Sequence, residues 1–422
     1  MEYLAYARSL LIAGVYAASE AGPAADAAPG REPFYPLVIA GLANLHSTWS
    51  TGLRNCSPPT EACASALLFL KYANVALLAL AAVAAGAITR LFSGSRLAAI
   101  VAVGYVSLNF TMWRELKYVM SDYLAVFLTA ITALALTLAL RRPTDVRGWI
   151  GVGFILALLA LTKQVFLPFA FLLAAGLLGH GLSTRAGSWQ RFLPSLSILT
   201  VVTLLNGGWV LRNVAYFGVM NDGRGSIALS TREVFNSMTA GEHAVAYLWF
   251  MRHPGPNLAR SLFPEGHWHR FPWMAPEGFY WRGQFVNHEA RVQRLRSQTG
   301  ASDAVAQTQA GGVVIREILA NWMGYLASMP AIFYRGLWFD AFMPLSLPLF
   351  ALPFLWAWRE QQWRLLAALS PGFWSLIVYP VVSLNIQRYQ FTVVIVLAVT
   401  AGLAADRLLG RPAARSNEIL RP

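Results

Sequence analysis

Apolar stretches close to membrane length recur along this chain, separated by short polar breaks. A helix needs roughly twenty apolar residues to cross about 30 Å of hydrocarbon. Stretches approaching that length run over Ala66–Leu91, Leu97–Trp113, Asp122–Leu140, Trp149–Leu161, Val165–Leu178, Phe192–Leu211, Phe342–Trp358, Leu365–Val382 and Phe391–Leu409. The fourth and fifth are short and meet at Lys163-Gln164, which predicts a tight helical hairpin. The pattern therefore predicts an all-α polytopic membrane protein with about nine membrane helices. Two long polar-containing stretches interrupt it, residues 1–65 and 213–340. In the second, Val286–Ser297 and Val314–Leu337 read as amphipathic helices along the membrane surface.

Composition agrees: 56% of the 422 residues are hydrophobic and 13% charged, about half the charged share of a soluble domain. The net charge of +13 would fit nucleic acid if the basic residues were spread over one surface. Instead Arg90, Arg96, Arg141, Arg142, Arg147, Arg185, Arg191, Arg359, Arg364, Arg407, Arg411 and Arg415 sit in or beside the short breaks. That is the signature of loops kept in the cytoplasm. An odd number of crossings then starts the chain outside and ends it inside. The expected organisation is a first outer loop with surface helices (1–65), membrane helices (66–212), a large outer loop (213–340), membrane helices (341–410) and a cytoplasmic tail (411–422). Nucleic acid is not an expected partner. No cleavable signal peptide is evident, since the apolar start is interrupted by Arg8 and has no basic region before it.

The two cysteines, Cys56 and Cys63, flank a Pro-Pro turn and could bridge a small outer loop. Residues 261–282, "SLFPEGHWHRFPWMAPEGFYWR", form either an aromatic surface facing substrate or an interfacial belt. His267 and His269 offer two imidazoles to a metal, but the sequence shows no clear third ligand.

Ionisable residues at the outer helix ends are the informative ones, because charge near lipid is costly without a partner or a role. Asp122 opens a membrane helix, and Ser121 before it is an equally good cap. Lys163 stands alone at the hairpin tip, Arg212 closes the span before the large loop, and Arg388 precedes the last span. Each could simply snorkel. Together with Arg31 they would converge just outside the bilayer, where basic groups suit a lipid-linked phosphate or diphosphate.

The ordered run "YLAYARSLL", "REPFYPLVIAG", "LKYANVALLALAAVAAGAITRLF", "MSDYLAVFLTAITALAL", "ALLALTKQVFLPFAFLLA", "RNVAYFG" and "QRY" resembles bacterial GT-C glycosyltransferases, a group similar to protein O-mannosyltransferases and the aminoarabinose transferase of lipid A. The resemblance covers nearly the whole chain. It implies a GT-C-like bundle in the bacterial inner membrane that moves a sugar from a polyprenyl-phosphate donor to a lipid, glycan or protein acceptor at the periplasmic face. It implies that the R-x-P-x-Y-P element lies near the active-site cavity, with Arg31 and Tyr35 facing substrate, Glu32 a spare carboxylate, and Pro33 and Pro36 fixing the start of a short surface helix. Asp122 matches the family's second acidic position. Arg212 and Asn213 match a site near the donor phosphate, and Arg388 and Tyr389 the "QRY" element.

One departure matters. Family members carry a membrane helix and then an Asp just before the segment matching "YLAYARSLL", and that Asp is the expected base. Neither is present in these residues, so either a longer chain or a non-catalytic relative is expected. The carboxylates at hand are Asp122 and Glu32, and the phosphate-side cations are Arg31, Lys163, Arg212 and Arg388. No cofactor is called for, and a divalent metal is left open. The rival class is a transporter or lipid flippase, but no internal repeat is visible and the charges lie at the rim rather than the midplane.

Overall fold

The computed structural model describes residues 2–17, 32–56, 62–116, 118–183, 189–220, 224–251, 254–273, 275–339 and 343–409. Arg31 and the tail from residue 411 lie outside them. Among the described residues every regular element is a helix. Three short helices come first, α1 (Glu2–Ala13), α2 (Phe34–Asn44) and α3 (Ser47–Arg54). A long series follows: α4 (Ala62–Ser93), α5 (Arg96–Ser107), α6 (Phe110–Glu115), α7 (Asp122–Ala139), α8 (Val146–Ala160), α9 (Leu167–Ser183) and α10 (Leu193–Phe217). The large loop folds as α11 (Arg224–Glu233), α12 (Ala240–Phe250), α13 (Gly255–Leu262), single turns α14 (Glu265–Trp268) and α15 (Phe279–Trp281), then α16 (His288–Thr299), α17 (Asp303–Ala320) and α18 (Trp322–Leu337). The chain closes with α19 (Met343–Arg359), α20 (Trp363–Val382) and α21 (Val393–Leu408).

The helix limits follow local chemistry. Ser95, Asn109 and Asp145 each accept a hydrogen bond from a backbone N–H of the turn they open. Thr239 and Glu242 form a reciprocal capping box on α12. Pro33 occupies the N-cap of α2 with Pro36 inside its first turn, where a missing N–H is harmless.

The apolar stretches recognised in the sequence form helices, though the one read as Leu97–Trp113 is broken at Leu108-Asn109 into α5 and α6. Among the described residues, six helical segments are long and apolar enough to cross a membrane: Leu68–Ser93, Arg96–Glu115, Asp122–Ala139, Gln164–Ser183, Trp189–Phe217 and Trp363–Val382. The protein is thus a helical, multi-pass membrane protein. Val146–Ala160 is a shorter apolar helix, and α19 and α21 have 17 and 16 residues.

α7 lies at the centre of the bundle, and most of its residues are buried. One side of it joins a core with α4, α5, α20 and α21, and the other a core with α1, α2, α8, α9 and α10. Close approach between helices relies on small residues, as expected where lipid removes the hydrophobic drive for association. At Gly402 an added Cβ would stand 2.4 Å from the carbonyl oxygen of Ala98, so α21 can reach α5 only without a side chain there.

The bundle has two chemically different ends. At one, Arg141 donates to the carbonyl of Leu91 and Arg407 pairs with Glu360. At the other, the large-loop helices pack on the end of α20. There the fully buried Arg232 donates to the carbonyl of Pro380 (2.8 Å), the Oδ1 of Asn236 (3.1 Å) and the carbonyl of Tyr325 (3.0 Å). Burial pushes its guanidinium down to about 10, still charged at neutral pH. The Tyr325 hydroxyl adds a bond to the carbonyl of Val381 (2.5 Å). At Pro380 Arg232 thereby supplies a donor to a carbonyl in the last turn of α20.

Two expectations for the large loop need correction. The helix read over 314–337 is two helices. Asn321 leaves the helical conformation, and its side chain accepts from the N–H of Gly324, ending α17 and starting α18. The helix read over 286–297 begins as a π-helical turn, Arg282–Asn287, before α16. Its Val292 and Leu295 turn toward Ala306 and Ala310 of α17, so this apolar face meets protein. Cys56 is disulfide-bonded, while the Cys63 side chain lies outside the described residues.

Candidate functional site

The α8–α9 hairpin sets the geometry. α8 ends at Ala160, Lys163 is extended, and a single 3-10 turn, Gln164–Phe166, leads into α9. Two contacts fix this corner. The N–H of Phe34 donates to the carbonyl of Leu161 (3.1 Å), joining the R-x-P-x-Y-P segment to the hairpin. The indole of Trp374 on α20 donates to the carbonyl of Val165 (2.7 Å).

Lys163 is not alone at this tip. Its ammonium lies 2.9 Å from the carboxylate of Asp122, and both side chains are largely buried. Asp122 is the first residue of α7 and Ser121 occupies the cap position, yet the Ser121 side chain caps nothing. Its hydroxyl meets that of Tyr3 at 3.1 Å. The role of Asp122 is therefore the ion pair rather than a cap. Burial disfavours the ammonium, but the adjacent carboxylate outweighs it and holds Lys163 above the ordinary lysine range.

A cavity of about 380 Å³ opens beside this pair, lined by Tyr3, Glu32, Lys163, Gln164, Tyr379 and Tyr389 on its polar side. Val165, Pro168, Val378 and Val382 form an apolar wall, and Gly225 and Ala228 of α11 close the loop side. Its size and mixture of apolar wall with a few polar groups suit a small-molecule or headgroup site. Tyr379 and Tyr389 stack at 4.6 Å, and the Lys163 ammonium lies 5.6 Å from the Tyr389 ring centroid.

Arg388 projects from the same turn as Tyr389. Its guanidinium lies 5.7 Å from the Tyr389 centroid and contacts the sulfur of Met120 at 3.0 Å. Burial opposes its charge, but Asp122 and Tyr389 hold it above the ordinary value. The turn is fixed from behind by a buried polar network. Gln390 donates to the Oδ1 of Asn385 (2.6 Å) and the carbonyl of Ser375 (3.1 Å), while the Ser375 hydroxyl meets Gln390 and Thr392. Asn385 in turn donates to the carbonyl of Ile332 (2.8 Å).

The residues singled out in the sequence divide into two groups. Glu32, Lys163 and Tyr389 line the cavity, with Asp122 and Arg388 directly beside them. Tyr35 is buried behind Tyr3, ring centroids 5.0 Å apart. Arg212 and Asn213 are not among the residues lining the cavity. The Arg212 guanidinium donates to the carbonyl of Tyr16 (2.7 Å) and to Asn213 (2.9 Å), and lies over Trp209, Phe217 and Tyr16 at 4.7, 5.1 and 5.4 Å. It pins the segment after α1 to α10. His267 packs over Gly241, and no group of three metal-binding side chains occurs among the described residues. Sequence reading missed Tyr3, Gln164 and Tyr379, whose uncharged side chains carry no signal in a chain rich in aromatics. Comparison with known protein families, characterised proteins and solved structures finds no match.

Proposed function

We propose that this protein is a membrane glycosyltransferase of the GT-C type that takes a sugar from a polyprenyl-phosphate donor to an acceptor at the outer face of a bacterial inner membrane. The observation carrying the reading is the cavity in which Lys163, Glu32 and Tyr389 meet, with Arg388 at its edge, beside an apolar wall at one end of the bundle. An apolar wall suits an isoprenoid, and cations at its mouth suit the phosphate. In this reading α8, α19 and α21 also cross the bilayer, for nine crossings, and the arginine-rich end is cytoplasmic.

The reaction asks little of the protein beyond placement and charge. The acceptor oxygen attacks the anomeric carbon, and the bond from that carbon to the phosphate oxygen breaks. The phosphate leaves with the electron pair while the acceptor proton passes to a base. Cations beside the leaving phosphate stabilise it as charge develops. Asp122 is engaged by Lys163, so Glu32 is the carboxylate that lines the cavity itself.

Arg388→Ala is expected to weaken use of a polyprenyl-phosphate sugar by roughly ten- to a hundred-fold, the worth of one charge-assisted phosphate contact. Radiolabelled sugar transfer in proteoliposomes measures it, and unchanged turnover rejects the assignment. Topology has its own check. Single cysteines placed at positions 141 and 270 of the otherwise unaltered chain should differ, with only 270 labelled by an impermeant thiol reagent on intact cells. Labelling at 141 but not 270 reverses the orientation.

A further inference from the structure

The reading of a phosphate-binding cavity leaves one half-buried cation unused. Arg335 stands in the last turn of α18, with its guanidinium 4.9 Å from the Phe250 ring centroid and 5.6 Å from that of Trp273. Among the described residues its side chain has neither a hydrogen-bond acceptor nor a carboxylate partner. The contrast with its neighbours is informative. Arg270 is paired with Glu242, Arg291 with Glu233 and Glu317, and Arg232 with backbone and amide oxygens.

Its position is tied to the cavity by backbone geometry. Gly336, the next residue, lies so close to Asn385 that an added Cβ would stand 2.2 Å from the Asn385 amide nitrogen. Asn385 stands two residues before the turn Gln387–Gln390 that carries Arg388 and Tyr389. Arg335 is thus fixed beside that turn, within electrostatic reach of Tyr389. Tyr280, which stacks on Trp273 at 3.5 Å, feels both Tyr389 and Arg388. Phe250, Trp273 and Tyr280 therefore form an aromatic surround on the loop side of the two arginines. Burial pushes Arg335 down to about 10, which leaves it a cation at neutral pH.

A guanidinium partly withdrawn from water without an acceptor is costly, and aromatic faces replace only part of what it loses. The planar fork is suited to two oxygens of one phosphate. We propose that Arg335 is an anion-binding residue of this cavity, which together with Arg388 receives the phosphate headgroup of a lipid carrier. The inference rests on the polyprenyl-phosphate reading for the identity of the carrier, and on the geometry above for the anion. An exclusively structural Arg335, packed on Phe250 and Trp273, is the competing account.

The test is binding to the full chain in nanodiscs, with a short-chain polyprenyl phosphate, the corresponding neutral polyprenol and inorganic phosphate as probes. Arg335→Gln should weaken polyprenyl phosphate about ten- to a hundred-fold and leave polyprenol binding unchanged. Arg335→Lys, which keeps the charge but not the fork, should fall between the two and should fold even if the glutamine variant does not. Inorganic phosphate that competes in an Arg335-dependent way would support the anion site with a soluble source. Equal binding of polyprenyl phosphate by Arg335→Lys, Arg335→Gln and the unaltered chain overturns the proposal. So does a parallel loss for polyprenol, which marks a structural role. Arg335-dependent binding without sugar transfer would sink the transferase reading alone. Transfer with Arg335-independent binding would sink this inference alone.

Discussion

Replacing Lys163 by Met should cost more stability than replacing Lys163 and Asp122 together. The single change leaves the Asp122 carboxylate, 5% exposed, without its ammonium partner inside the bundle. Breaking a buried pair in this way costs up to roughly 3–5 kcal/mol, because the remaining charge is poorly solvated and only Arg388 nearby offsets part of it. In Lys163→Met/Asp122→Asn no charge is stranded, and most of that loss should return. Thermal unfolding in detergent, followed for both single variants and the double, closes the cycle. Sugar transfer should not return with stability, because the Lys163 ammonium also lines the cavity and lies near Tyr389. A double variant that recovers both stability and transfer would reduce the pair to a structural element. Single variants as stable as the unaltered chain would show that the pair is not buried as described.

How much of this was legible in the sequence depends on the range over which the physics acts. Membrane-length apolar runs are local, so the helices from α4 to α10 and from α19 to α21 were visible, as was the hairpin at Lys163. Asp122 and Lys163 were each conspicuous as charges at helix ends. Their pairing was not, because 41 positions separate them and only the packing of α7 against α8 joins them. Arg212 is a harder case. A cation at the end of a span looked like a phosphate ligand, yet aromatic rings and the Tyr16 carbonyl surround it. Nothing in "WVLRNVAYFG" distinguishes the two roles. Arg335 was hidden within a segment read as one surface helix. The break at Asn321 was obscured because an apolar run continues through it.

The Asn385 network was equally invisible, and it underlies the second large effect expected. Gly336→Ala should destabilise the protein and impair donor use together. The added methyl would fall 2.2 Å from the Asn385 amide nitrogen, a distance that real side chains do not tolerate. Either α18 withdraws or Asn385 moves. Moving Asn385 breaks its bond to the Ile332 carbonyl and removes the acceptor for Gln390, both buried. Overpacking costs roughly 1–3 kcal/mol, and each stranded polar group adds about 1–3 kcal/mol. Asn385 also holds φ at +53°, a conformation Asn tolerates better than most residues, so the turn has little freedom to adjust around it. The displacement would pass to Arg388 and Tyr389, three and four positions further on. The expected signature is a lowered melting temperature with a raised KM for the polyprenyl-phosphate donor. In Gly336→Ala/Asn385→Gly the clash disappears and the backbone conformation is retained, so part of the stability should return while the lost hydrogen bonds do not. Unchanged melting and unchanged KM in Gly336→Ala would mean that α18 and this turn are not in the contact described, and the positioning of Arg388 would need another cause.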